Sequence, residues 1–369
     1  MKGMDIKMKK ARQLSVPAIA AAFIGTVVGA GFATGQEVLQ FFTLYGRTGF
    51  IGIILATVLF CYFGISIMKI SRDLKADSHL ELVKFAAGPR LGVLLDWLIT
   101  LSFIGVLVVM AAGSGAIAEE HFNLPPLYGS LAIIILSFLT VISGVNNVIK
   151  AIGIVVPFLL IIVLGVAVFS ILNDPLTIKK IGILESLEAP VTRSWLFSSF
   201  LYVSYNILLA VAILTPLGVE AQNKKNLICG GILGGLGLGI GVLAISLAII
   251  SGVPEILPFQ VPMVFLAYRL NPLLAFVYGI ILFLEIYTTA VSILYGFVAR
   301  IAYTKIMRFI WAAIACAGAI FAGQLGFSKI ITTIYPLMGF VGLFLLASII
   351  WSQIREPISV LLKTSKKRS

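Results

Sequence analysis

The chain has 369 residues, of which 60% are hydrophobic and only 11% are charged. A water-soluble domain keeps about a quarter of its residues charged, so this composition excludes one and indicates an integral membrane protein. The formal net charge of +12 comes from basic residues in loops and tails beside apolar segments, which favours membrane topology over nucleic-acid binding.

Ten apolar segments follow one another along the chain, mostly with short connections. Crossing the hydrocarbon core takes about 20 apolar residues in a helix, and backbone groups in lipid must bond within their own segment. The sequence therefore predicts one all-α transmembrane domain over 1–369 with ten helices. The predicted helices cover 15–45, 48–70, 91–117, 127–142, 149–172, 194–217, 226–252, 271–298, 307–323 and 330–351.

The distribution of Lys and Arg predicts the orientation of these helices. With the amino terminus inside, 21 basic residues lie on the cytoplasmic side and six on the other. Because cytoplasmic loops are enriched in Lys and Arg, this split predicts a multi-pass protein of the cell (inner or plasma) membrane with cytoplasmic tails, 1–13 and 353–369. It also supports an even number of helices.

Ten helices divide into two halves of five, about 15–172 and 194–351. Five helices carry the chain across the membrane an odd number of times, so the second half enters from the opposite side. This is the inverted repeat of many transporters, in which the first and sixth helices correspond.

The first segment contains an unusual run of small and polar residues. Four glycines lie between Gly25 and Gly35, and Gln36 and Glu37 follow directly. Such a run loosens a helix at a depth where no solvent satisfies the backbone, which is tolerated where the break lines a cavity. Free carbonyls there can bind a cation, and free NH groups an anionic group. The alternative is close packing of small residues between helices.

The sixth segment carries a polar cluster midway along its length, consisting of Tyr202, Ser204, Tyr205 and Asn206. Hydroxyl and amide groups at this depth can contact a substrate or satisfy an unwound backbone. The alternative is a set of ordinary hydrogen bonds between helices. Because this segment corresponds to the first in the repeat, we predict a second broken helix and a substrate contact here.

The eighth segment places Glu285 among apolar residues, followed by Thr288, Thr289 and Ser292. A carboxyl group inside the membrane needs a partner or a proton, and it is a candidate for function by default. The threonines add oxygen ligands of the kind that sodium prefers. Alternatively, Glu285 is protonated and the hydroxyls bond back to their own helix. We predict a cation or proton site.

Together these residues resemble the amino acid/polyamine/organocation superfamily with the LeuT-type fold. The first segment also carries the G-A-G-F-A-[ST]-G-Q-E signature of YkvI-like amino acid permeases, from Gly29 to Glu37. The resemblance covers nearly the whole chain, but its specificity comes mostly from that signature. It implies a transporter fold with ten helices in a 5+5 inverted repeat.

The resemblance also implies a sodium site made by two segments far apart in sequence. Its ligands would be Gly25, Val28, Glu285, Thr288 and Thr289. Glu285 stands where the sodium-coupled members have a small residue, so it would neutralise the ion or replace sodium coupling with proton coupling. The third segment lacks the tyrosine that often covers the substrate in sodium symporters.

The resulting prediction is a secondary transporter that imports a small organic solute, an amino acid or related zwitterion, by sodium symport and alternating access. The expected substrate contacts are Thr26, Gly29, Ala30, Gly31, Phe32, Tyr202, Ser204, Tyr205, Asn206 and Ser292. Candidate proton or gating groups are Glu37, Glu285 and Asp96, the last paired with Arg90.

Two other functions stay open: a proton-coupled permease using Glu285 or Glu37, and a transporter-like receptor for a small molecule. An enzyme is not expected, because no His lies within a predicted span and no paired metal ligands are present. Besides the coupling ion, no cofactor is expected, and the expected partners are the lipid bilayer and the solute. Solute identity and oligomeric state are not predicted.

Overall fold

A computed structural model describes residues 14–76, 78–143, 148–187 and 191–366. Within these ranges the chain forms fifteen α-helices, one short 3₁₀ helix and no β-strand. The α-helices are α1 Val16–Val27, α2 Ala30–Thr34, α3 Gln36–Phe41, α4 Arg47–Leu74, α5 His79–Ala87, α6 Pro89–Phe122, α7 Pro126–Ser143, α8 Val148–Asn173, α9 Ile178–Glu185, α10 Trp195–Glu220, α11 Lys224–Ser251, α12 Pro262–Leu270, α13 Pro272–Ile301, α14 Lys305–Gly323 and α15 Phe327–Lys366.

Every predicted segment overlaps one long helix or, for the first segment, a series of short ones. In the described ranges, eight helices are long and apolar enough to cross a membrane. A ninth candidate is the bent pair Phe158–Asn173 and Ile178–Glu185, whose axes differ by 115°, and α1 is a shorter apolar helix of 12 residues. The all-helical architecture with many apolar spans is as predicted, whereas the count of ten crossings stays a prediction.

The first segment is divided into short helices at its glycines. α1 ends at Val27, and Gly29 has an extended backbone with φ −123° and ψ −169°. α2 begins at the next residue and ends at Thr34, and the following Gly35 has a φ of +81°, in the left-handed region that favours glycine. The chain therefore leaves helical geometry twice within eight residues.

The sixth segment, in contrast, is one continuous helix, α10, so the predicted break near Tyr202 to Asn206 is wrong. The polar side chains bond to their own helix instead of to an unwound backbone. The Ser204 hydroxyl donates to the Leu201 carbonyl at 2.9 Å, and the Asn206 amide donates to the Tyr202 carbonyl at 2.9 Å. Such bonds to the preceding turn leave the helix intact.

α10 lies at the centre of the bundle, packed against α1, α4 and α15. Two glycines allow its backbone to approach its neighbours closely. A β-carbon at Gly218 would overlap the Met68 carbonyl of α4, and one at Gly342 of α15 would overlap the Ser204 carbonyl. Small residues at such crossings are typical of helix packing in membranes.

The start of α1 and the end of α10 are joined at one end of the bundle. The Leu14 amide donates to the Glu220 carbonyl at 2.9 Å, and the Gln222 amide donates to the Leu14 carbonyl at 3.3 Å. The Arg72 guanidinium, at the end of α4, donates to the Ala221 carbonyl at 2.6 Å. These contacts define what we call the N-terminal end of the bundle.

Some boundaries differ from the prediction. The short helices α5, α9 and α12 lie in stretches predicted as loops, because they are too short and too amphipathic to resemble membrane spans. α15 continues to Lys366, beyond the predicted limit at residue 351. The predicted tail 1–13 lies outside the described residues, as do the last three residues of the tail 353–369.

Candidate functional site

A cavity of about 320 Å³ lies against the interruption of the first segment. It is enclosed by that segment together with α6, α10, α13 and α15. Its lining residues are Gly25, Thr26, Val27, Val28, Gly29, Ala30, Gly31, Glu37, Val106, Met110, Tyr205, Asn206, Leu209, Ile213, Glu285, Thr288, Thr289, Ser292, Ile293 and Tyr335.

The cavity brings together most of the residues that the sequence singled out. All five expected cation ligands line it, as do seven of the ten expected substrate contacts and the carboxyl groups of Glu37 and Glu285. The expected cation ligands among them come from two segments more than 250 residues apart in sequence. Phe32, Tyr202, Ser204 and Asp96 do not line it. The roles assigned to the lining residues stay predictions.

Glu37 closes one end of the cavity together with two tyrosines. Its carboxyl group accepts a hydrogen bond from the Tyr205 hydroxyl at short distance and another from Tyr335. The two tyrosine rings stack, with centroids 4.5 Å apart and planes 15° apart. A β-carbon at Gly31 would overlap the Glu37 carboxyl, so glycine is needed for this group to cover the interruption. Glu37 is only 4% exposed.

Glu285 lies on α13, where its carboxyl group faces the same cavity. The Thr289 hydroxyl donates to Glu285 Oε1 at 3.4 Å, and the Thr288 hydroxyl donates to the Glu285 carbonyl at 3.0 Å. The second oxygen, Oε2, is buried and has no hydrogen-bond partner among the described residues. An orphaned carboxyl oxygen beside hydroxyl and carbonyl oxygens is a donor set that fits a hard cation such as sodium.

Three predicted contacts lie elsewhere. The Ser204 hydroxyl shares its single proton between the Leu201 carbonyl and the Gly339 carbonyl of α15, the latter at 2.7 Å, which makes it part of the α10–α15 contact. The Phe32 ring packs against Gly241 of α11. Tyr202 lies in an aromatic cluster whose ring contacts include Phe42 at 4.8 Å. These residues were predicted as substrate contacts from their depth and from their place in the two corresponding segments, and neither determines which way a side chain points.

Asp96 lies outside the cavity near the N-terminal end, and its partner is not Arg90. It is 1% exposed and accepts from the Arg300 guanidinium of α13 at short distance. His79 Nε2 of α5 lies 3.2 Å from Asp96 Oδ1. Burial lowers the pKa of His79 below its usual range, although Asp96 opposes the shift.

The cavity extends from Glu37 toward the N-terminal end of the bundle. Its lining on α10 runs from Tyr205 to Ile213, in the half of α10 that ends beside Leu14. On α13 the lining runs from Glu285 to Ile293, toward the end of that helix. On the opposite side of Glu37, the Tyr278 hydroxyl donates to the Ala33 carbonyl at 2.5 Å and joins α13 to α2.

Some lining residues were missed by the sequence analysis. Tyr335 is the polar one, and a tyrosine near the start of the apolar tenth segment was a signal that could have found it. Met110 falls in the region expected to cover the substrate, where no tyrosine is present. The other missed side chains are apolar, Val27, Val106, Leu209, Ile213 and Ile293, and nothing in the sequence separates them from neighbours that face lipid.

Comparisons with known proteins agree with this architecture. No family model matches the chain. The chain is 32% identical over 343 residues to the uncharacterized membrane protein YkvI of Bacillus subtilis (strain 168), covering 91% of this chain and 95% of that one. The uncharacterized protein YyaD of the same strain is 26% identical over 328 residues, covering 89% and 94%.

Several solved structures with a similar fold are transporters. MhsT in complex with L-phenylalanine has a TM-score of 0.63 at 16% identity, covering 96% of this chain and 98% of that one. A Na⁺-coupled sialic acid symporter has a TM-score of 0.56 at 15% identity, covering 91% and 79%. A variant of the manganese transporter of Eremococcus coleocola has a TM-score of 0.53 at 16% identity, covering 92% and 78%. The fold is the predicted LeuT type.

Proposed function

The chain belongs to the family of the membrane protein YkvI, and we propose that it is a secondary transporter that carries a small organic solute by alternating access. The proposed solute is an amino acid or related zwitterion, and the proposed coupling ion is sodium. The fold supports transport, because the structural matches reported above are transporters rather than enzymes. The complex of MhsT with L-phenylalanine supports an amino acid, and the Na⁺-coupled sialic acid symporter supports sodium.

One observation carries the proposal. The interrupted segment from Gly25 to Gly31 and the polar face of α13 line the same cavity, although they lie more than 250 residues apart in sequence. Free carbonyls at a helix interruption, facing hydroxyl and carboxyl oxygens, form the arrangement that secondary transporters use for ions near the membrane midplane.

In this proposal the cation is held by the carbonyls of Gly25 and Val28 and by Glu285, Thr288 and Thr289. The solute occupies the rest of the cavity, next to Glu37. The proposed domain is the whole chain, with two inverted repeats over about 15–172 and 194–351 and both termini in the cytoplasm of a cell-membrane protein. The cavity then extends toward the cytoplasm, and the described conformation is an inward-facing one.

Two alternatives share this site. The first is a proton-coupled permease, in which Glu285, with one unpartnered carboxyl oxygen, binds a proton in place of sodium. Glu37 offers a second carboxyl group for a proton in the same cavity. A receptor with this fold would bind its ligand without moving it, since a fold alone does not determine function.

Uptake into proteoliposomes tests the proposal. The full-length protein is reconstituted, and amino acid accumulation is compared with inward gradients of sodium, of choline and of protons. We expect accumulation with sodium only. Thr289→Ala removes one proposed ligand, so its uptake should no longer depend on sodium, whereas the exposed Thr333→Ala of α15 is the matched control and should behave like the unmodified protein.

Each alternative has its own outcome. Accumulation driven by a proton gradient, unchanged by sodium, would support the proton-coupled permease and refute sodium coupling. Saturable binding in detergent without accumulation in vesicles would support the receptor. Sodium dependence retained in Thr289→Ala would refute the assignment of the ion to α13.

A further inference from the structure

The hydroxyl groups that line the cavity direct their protons into the protein. The Thr26 hydroxyl donates to the Ala22 carbonyl at 2.7 Å, and the Ser292 hydroxyl donates to the Thr288 carbonyl at 2.8 Å. The hydroxyls of Thr288 and Thr289 donate to Glu285, as described above. Because a hydroxyl has one proton and two lone pairs, these groups offer acceptors, not donors, to a solute.

The tyrosines and the asparagine extend this pattern. Tyr205 and Tyr335 donate to Glu37, so their protons are also engaged. The Asn206 amide donates one of its two N–H groups to the Tyr202 carbonyl. Among the described side chains that line the cavity, the second N–H of Asn206 is the remaining donor.

The charges in the cavity have one sign. Its lining includes two carboxyl groups, Glu37 and Glu285, and no Lys, Arg or His among the described residues. Both residues are less than 5% exposed, and Glu285 Oε2 has no partner in the part of the chain that the structure describes. A buried carboxylate without a partner is unfavourable by several kcal/mol, so this group is stabilised by a proton, a cation or a hydrogen-bond donor from outside the chain.

The protein's own carboxyl group also covers the interrupted backbone. Glu37 lies over Gly31 so closely that a β-carbon there would be 2.5 Å from its Cδ and 2.8 Å from its Cγ. A solute carboxylate placed at this backbone would meet the Glu37 carboxyl group instead of free space. Two like charges at such a short distance repel each other, so the interruption does not favour an anionic group.

We propose that the cavity recognises its solute through an ammonium group, bound at the carboxyl groups of Glu37 and Glu285, with Glu285 shared between the ammonium group and the proposed sodium ion, and that a carboxylate on the solute is dispensable. The solute class is therefore a small primary amine, with amino acids accepted through their amino group. An ammonium group has three donors and no acceptor, which complements a lining whose polar side chains offer mainly acceptors. The volume of about 320 Å³ is at the small end of ligand sites, roughly 300–1,000 Å³.

This inference rests on the proposed function, because it assigns the cavity to a transported solute. It is tested by binding of matched compounds to the full-length protein in detergent, measured by isothermal titration calorimetry with sodium present. One series is phenethylamine, L-phenylalanine and 3-phenylpropanoate; a second is isopentylamine, L-leucine and 4-methylpentanoate. In each series the members share a side chain and differ in the amino and carboxylate groups.

We expect at least one amine to bind as tightly as its amino acid or more tightly, and neither acid to bind. Glu285→Gln should weaken amine binding roughly 30-fold or more, as for a buried charge pair that loses one partner. Glu255→Gln changes a carboxyl group that is 59% exposed and should leave affinity unchanged. The compound series does not depend on the variants, so it remains decisive if Glu285→Gln fails to fold.

The inference is overturned if an amino acid binds while its amine does not, if an acid binds as tightly as its amine, or if neither amine binds. Uptake by proteoliposomes separates it from the proposed function. Amines that bind but do not accumulate would refute transport and leave the recognition of ammonium standing. Amino acids that accumulate while amines neither bind nor compete would support transport and refute this inference.

Discussion

The position of Glu37 over the helix interruption makes a specific prediction for Gly31→Ala. The new methyl group would overlap the Glu37 carboxyl group and lie 2.5 Å from its Cδ. The backbone of α2 is held by its neighbours, so the carboxyl group must move and lose its bonds from Tyr205 and Tyr335. A buried hydrogen bond to a charged group contributes roughly 1.5–3 kcal/mol. The displaced Glu37 carboxyl group can form other contacts that recover part of the lost stabilisation. We therefore expect the free energy of unfolding to fall by about 2 kcal/mol.

Gly29→Ala is the matched control, two residues earlier in the same interruption. A β-carbon at Gly29 would have no atom within 4 Å, and its extended backbone, with φ −123°, is open to alanine. Replacing a glycine in such a position reduces the entropy of the unfolded chain and stabilises by roughly 0.4–1 kcal/mol. The two substitutions add the same group, so they isolate the contact with Glu37.

The assay is unfolding of the purified protein by sodium dodecyl sulfate in mixed micelles. A double-mutant cycle with Tyr205→Phe sharpens it. In the unmodified protein Tyr205→Phe removes one donor to Glu37, whereas after Gly31→Ala that bond is already absent and the same substitution should have little effect. Equal effects of Gly31→Ala and Gly29→Ala, or additive effects in the cycle, would refute the placement of Glu37 over Gly31.

Two further predictions concern other parts of the fold. Burial lowers the pKa of His79 from its usual 6.5; the positive charge of Arg300 adds to this shift, and Asp96 opposes it. His79 is therefore protonated more readily in the unfolded chain than in the folded one. Neutral His79 contributes its full stability above about pH 6.5, and this contribution is lost as the pH falls toward the pKa of His79 in the folded protein. Between about pH 7 and 5 the free energy of unfolding should fall in the unmodified protein, and this fall should be absent in His79→Gln. The same pH dependence in both proteins would contradict the prediction. Gly342→Ala should destabilise by roughly 1–3 kcal/mol, because its β-carbon would overlap a backbone carbonyl of α10 that cannot move aside. Gly318→Ala has open space around it and is the control, so similar unfolding curves for both variants would contradict the close contact.

The hydrophobic pattern was sufficient to locate the long helices. Apolar runs of about 20 residues leave few other structures possible in a membrane, which is why the predicted segments overlap the observed helices. The interruption near Gly29 was also readable, because glycines followed by Gln36 and Glu37 are unfavourable inside a continuous span. The sequence could not give the rotation of each helix about its axis, since nearly every face of these helices is apolar.

That missing rotation explains the errors at the site. Ser204 and Tyr205 are adjacent at the same depth, but Ser204 bonds to the Gly339 carbonyl of α15, while Tyr205 faces the cavity. Asp96 was expected to pair with Arg90, its neighbour along the chain. The structure pairs it with Arg300, which lies 204 residues away, because the ends of α6 and α13 meet at the same end of the bundle. Only the tertiary arrangement of the helices supplies such partners.

The pairing of Leu14 with the residues around Ala221 couples two of the helices that line the cavity. α1 can tilt away from α10 only if two backbone hydrogen bonds break, and each of them contributes roughly 0.5–1.5 kcal/mol. While these hydrogen bonds are intact, α1 and α10 therefore move together as one rigid body. If the hydrogen bonds break, each helix can tilt independently. Leu14 and its partners Glu220 and Gln222 therefore influence how the whole bundle rearranges.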